Sequence, residues 1–87
     1  MPEPLHVFWS DEAEDDVVAH LDEHGVTTDE AESVLRACFE QRQPSRAETG
    51  RWVVRGYTPD KRFLIVVFDY YPDEHLVVPV TAYEPGA

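Results

Sequence analysis

Eighty-seven residues suffice for one domain and fall short of what two separate cores require. An apolar share of 43% and an aromatic share of 11% point to a globular chain rather than a disordered one. Seven basic against eighteen acidic residues leave a formal charge of −11, which excludes a general nucleic-acid coat because phosphate binding needs a positive field.

The lone cysteine, Cys38, can form no internal disulfide, so folding rests on packing. Met1-Pro2-Glu3-Pro4 lacks positive charge and no apolar stretch follows it, so no secretory leader is expected. The longest apolar run, Phe63 to Phe68, is far short of the ~20 residues of a membrane helix, and the cytoplasm is the expected compartment. An excess of Asp and Glu with one lysine also suits a protein kept soluble at high salt. Charge is unevenly spread. Residues 1–35 hold eleven acids and no Lys or Arg, whereas residues 36–62 hold all seven cations against three acids. Residues 63–87 return to four acids and no cation.

In chain order, His6 to Trp9 reads as a short strand at a sheet edge. Ser10 supplies an N-cap, Asp11, Glu12 and Glu14 suit the positive end of a helix dipole, and Ala13, Val17, Leu21 and His24 mark a buried stripe. Gly25 stands where that helix needs a left-handed residue to end. Thr27 and Glu30 form a T-x-x-E capping box for a second helix, with Val26 placed to pack as a staple. Ala31, Val34, Leu35 and Cys38 give that helix its apolar face, and the three-residue link makes the two helices an antiparallel hairpin. Gln43 to Gly50 reads as a polar loop.

Three strands follow. Arg51 to Tyr57 is the first, and Thr58-Pro59-Asp60 turns the chain. Phe63 to Tyr70 has the β-branched and aromatic profile of a central strand covered on both faces. Tyr71 to Glu74 turns again into Leu76 to Ala82, where Pro79 predicts an edge or a bulge. The expected fold is α+β, ordered β-α-α-β-β-β, with a helical hairpin packed on one face of a small antiparallel sheet and a single domain over 1–87.

The strand ending in Trp9-Ser10-Asp11, the His24-Gly25-Val26-Thr27 link, Glu30-Ala31 and the three-strand meander resemble the BrnT family. The resemblance spans nearly the whole chain. It implies a RelE-like fold and the toxin half of a bacterial toxin–antitoxin pair, a ribonuclease that cleaves messenger RNA and is silenced by a DNA-binding antitoxin. A second reading keeps the fold as a non-catalytic module that binds a small basic or DNA-binding partner. The net charge and the ending Thr81-Ala82-Tyr83-Glu84, which carries no basic cluster, favour that second reading.

Candidate chemistry centres on the second strand. A period of two puts Arg51, Val53, Arg55 and Tyr57 on one face and Trp52, Val54 and Gly56 on the other. Two arginines about 7 Å apart can grip a phosphate, with Arg46, Lys61 and Arg62 adding to the field and Tyr57 or Tyr83 serving as acid or base. The plainer account is that these arginines neutralise acidic neighbours. His20 and His24 stand four apart, a spacing open to zinc, but His24 is explained by the helix end and no metal is expected. Cys38 reads as a structural thiol, Trp9 and Trp52 read as packing residues, and no cofactor motif is present.

Overall fold

The computed structural model describes residues 5–9, 21, 23–47 and 49–85. Its strands are β1 (His6–Val7), β2 (Gln43–Pro44), β3 (Trp52–Tyr57), β4 (Phe63–Tyr71) and β5 (Leu76–Tyr83), and its helix is α1 (Thr28–Cys38). The α+β class stands. The sheet runs β1-β5-β4-β3-β2, antiparallel throughout except that β1 lies parallel to β5. It is therefore mixed and five-stranded, not the small antiparallel sheet expected. Most of the expected first helix falls outside the described residues, so the hairpin does too.

The end of that first helical segment is nonetheless legible. Leu21 is buried, Gly25 takes φ +70°, and the Val26 N–H reaches back 3.0 Å to the Leu21 carbonyl. That six-to-one bond is the signature of a Schellman stop. Two residues on, the capping box opens α1: the Glu30 N–H donates to Thr27 Oγ1 and the Thr27 N–H donates to Glu30 Oε1, each at 3.1 Å. Ala31, Val34 and Leu35 then point one face at the sheet and are fully buried.

They pack on Val54, Leu64, Val66, Phe68, Val77 and Ala82, the alternate residues of β3, β4 and β5. Gly56 lies in the same layer. A Cβ built there would stand 2.5 Å from Cys38 Sγ and 3.5 Å from Val34 Cγ1, so glycine lets α1 settle against β3. Cys38 is half-buried in this contact.

Two strand expectations need correction and one is met. Gln43 and Pro44 are not loop but an edge strand paired with Val53 and Trp52. The Ser45 N–H bonds the Arg51 carbonyl, so the alternation of an antiparallel ladder leaves Pro44 at the position that needs no donor. The bulge expected at Pro79 is present although β5 is interior: Phe68 faces Pro79 while Val67 faces Thr81, leaving Val80 extra. Coverage by β1 ends with the Phe8 N–H to the Val77 carbonyl, short of Pro79. Secondly, β4 is central but, among the described residues, is covered by a helix on one face only; Phe63, Ile65 and Val67, on its other face, are half-buried.

Candidate functional site

The face of the sheet away from α1, which no other described element covers, is where the candidate residues meet. Successive rows across it are Arg51–Asp69–Val78, Val53–Val67–Thr81, Arg55–Ile65–Tyr83 and Tyr57–Phe63. Its middle is apolar and half-buried, its far corner aromatic and cationic. Tyr57 is 70% exposed with its ring 5.1 Å from that of Phe63, and Tyr83 is 37% exposed. Arg55 and Tyr83 flank Ile65 from the neighbouring strands, with Cα atoms about 10 Å apart, two strand spacings. Arg55 is exposed and has no ion-pair partner among the described residues.

The alternation read from the sequence is observed: Trp52, Val54 and Gly56 turn toward the helix, leaving the odd-numbered residues on the open side. The two strand arginines differ, however. Arg51 Nε donates to Asp69 Oδ1 at 3.3 Å, with both side chains about one-third exposed, while Arg55, four residues on, has no ion pair among the described residues.

The remaining anion-binding candidates do not join them. Arg62 Nη1 reaches the Gly25 carbonyl at 3.0 Å and both oxygens of Glu30 at 3.2 and 3.0 Å, while Nη2 meets Glu84 at 3.2 Å. The bond to Glu84 holds this guanidinium above its ordinary pKa, with partial desolvation opposing and the charge of Glu30 assisting. Arg62 thus ties the start of α1 to the end of β5. Glu30, held below its ordinary value first by the Thr27 backbone N–H, against desolvation, and then by Arg62, serves as cap and counter-ion at once.

Lys61 occupies the β3–β4 turn at φ +67°, and Arg46 lies in the loop before β3. Six strand residues separate those ends, roughly 20 Å. The cations therefore do not converge on one anion pocket; Arg55, Tyr57 and Tyr83 share one corner, with Lys61 in the adjoining turn, while Arg46 lies at the other end of β3 and Arg62 is engaged by Glu30 and Glu84. Phe63 and Ile65, which the sequence reading left in the core, complete the corner.

Two further arginines are engaged elsewhere. Arg36 pairs with Glu32 one turn back at 3.1 Å and donates to the Leu5 carbonyl at 2.8 Å, while Trp9 Nε1 bonds the other oxygen of Glu32. Arg42 stacks against aromatic rings. His20 lies outside the described residues, and among those described no three His, Cys, Asp or Glu side chains cluster as for a metal. No helix among them is long and apolar enough to cross a membrane. No protein-family model, curated protein or solved structure matches this chain.

Proposed function

We infer that this chain is a protein-binding module, the toxin-like half of a two-protein system, which engages a small basic companion through the open face of its sheet. One observation carries this: an exposed corner of Arg55, Tyr57 and Tyr83 bordering a half-buried apolar strip of Val53, Ile65 and Val67. Tyrosine and arginine around an apolar centre are what protein interfaces favour. The formal charge of −11 speeds encounter with a basic companion and slows encounter with RNA. The likeness of Trp9-Ser10-Asp11 and His24-Gly25-Val26-Thr27 to BrnT chains supports an antitoxin-like companion.

The test is co-expression with the product of the neighbouring reading frame. A complex should form, and Tyr57→Ala should weaken it by more than about tenfold, the cost of an interface hot spot. A strictly monomeric protein, or a complex indifferent to both Tyr57→Ala and Arg55→Ala, would overturn the reading.

A second reading, endoribonuclease, is favoured by the same corner, since Arg55 can bear on a phosphate beside a tyrosine hydroxyl. Its test is incubation of structured and unstructured RNA with wild type and with Arg51→Ala/Arg55→Ala. Cleavage lost in a folded double variant supports it; RNA left intact by wild type ends it.

A further inference from the structure

Arg42, just before β2, sits in an aromatic box. Its guanidinium carbon lies 4.4 Å from the centre of the Phe39 ring, 4.9 Å from Tyr70 and 5.3 Å from Trp52. Phe39 and Tyr70 form two walls nearly at right angles, 83° with centroids 5.0 Å apart. Nη1 donates to the Phe39 carbonyl at 3.2 Å, but Nε is buried and has no hydrogen-bond partner among the described residues.

Three rings offer a cation their negative faces and give a donor almost nothing. A guanidinium suits such a box imperfectly, because each buried N–H left without an acceptor is penalised. A quaternary ammonium has no N–H to satisfy and presents only methyl groups to the rings. We propose that Phe39, Trp52 and Tyr70 form a site for a trimethylammonium group, with the Arg42 side chain as its removable plug. Arg42 is half-exposed, so rotation of one side chain at the sheet edge opens the site. The site lies on the helix side of β3 and is independent of the open face.

The ligand is either a choline-type head group or a trimethylated lysine, and two arms separate them. Choline chloride and a trimethyl-lysine peptide are titrated into wild-type protein, with sodium chloride and the unmodified peptide as controls. The readout is the indole N–H resonance of Trp52; that of Trp9, bonded to Glu32, is the internal reference.

A saturable shift of Trp52 alone is expected. It should be lost in Tyr70→Leu and reached at roughly tenfold lower ligand in Arg42→Ala, where no plug competes. Tighter binding of the peptide assigns the cation to a protein chain and equal binding assigns it to a head group; both support the site. A wild-type Trp52 that does not move, moves equally with sodium, or responds unchanged in Tyr70→Leu overturns the proposal. Those wild-type and Tyr70→Leu results decide even if Arg42→Ala fails to fold.

Discussion

Gly56 offers a direct test of how α1 seats on the sheet. Gly56→Ala adds one methyl group at a point 2.5 Å from Cys38 Sγ. Contact at that distance forces the thiol to turn or the helix to lift. Turning is restricted, because a helical side chain lacks one of its three χ1 wells. Overpacking of this kind costs about 1–3 kcal/mol. Replacing a glycine whose φ is not positive returns about 0.4–1 kcal/mol by stiffening the unfolded chain. A net loss of about 0.5–2 kcal/mol remains, which for a domain of this size lowers Tm by roughly 2–16 °C.

Cys38→Ala removes the obstructing sulfur and, alone, costs about 1 kcal/mol for a half-buried thiol. Together the new methyl fills the space the sulfur leaves, so the double variant should be more stable than the sum of the singles by at least about 1 kcal/mol. Urea unfolding followed by far-ultraviolet circular dichroism measures all four corners of the cycle. Additive losses, or a Gly56→Ala protein as stable as wild type, would refute the close seating of α1 on β3.

Thr27→Ala removes the side-chain half of the capping box and should cost about 1 kcal/mol, read from the same urea curves. Glu30 has its carboxyl held below the ordinary value of 4.5, so its contribution is fully present above that pH and lost as pH falls through the folded pKa. In Glu30→Gln the decline in stability below about pH 4.5 should therefore be shallower than in wild type when urea midpoints are compared step by step. Pro44→Ala should change stability by less than about 0.5 kcal/mol, because the ladder asks no donor of that position.

Much of the fold is written locally. Gly25, Thr27 and Glu30 announce one helix end and the next helix start because caps depend on neighbours in sequence, and those features appear where spacing put them. The long strands follow from runs of β-branched and aromatic residues bounded by turns, for the same reason. What spacing does not contain is partner choice. Nothing local to His6–Val7 says that it pairs in parallel with β5, and nothing in Gln43–Pro44 distinguishes a two-residue edge strand from loop. The site divides likewise. That Arg51 and Arg55 share a face is local; that Asp69, eighteen residues on, pairs with Arg51 and leaves Arg55 without an ion pair among the described residues is a matter of register. Ten aromatic residues in a segmented charge pattern gave no hint that Arg42 would be held by three rings from three elements.

Arg55 poses the sharpest question, because a chain with eighteen carboxylates has every electrostatic reason to pair its cations. Arg36, Arg51 and Arg62 are paired, yet the arginine at the exposed corner of that face is not, among the described residues. Two physical causes can keep it so. A charge beside Ile65 and Val67 deters sheet faces from stacking on one another, the gatekeeping that natural sheets use against aggregation. Alternatively the planar guanidinium is held ready for a partner's carboxylate or phosphate, which it grips through paired, fixed donors. Lysine separates them, since it keeps the charge and loses the fork. If recognition is the cause, Arg55→Lys stays as soluble and as stable as wild type, within about 0.5 kcal/mol, but binds the companion more than about fivefold less tightly, a loss of roughly 1 kcal/mol. Isothermal titration against the companion, beside light scattering of the protein alone, reads both quantities. Undiminished affinity in Arg55→Lys, with aggregation appearing only in Arg55→Ala, would assign the residue to gatekeeping and remove it from the binding face.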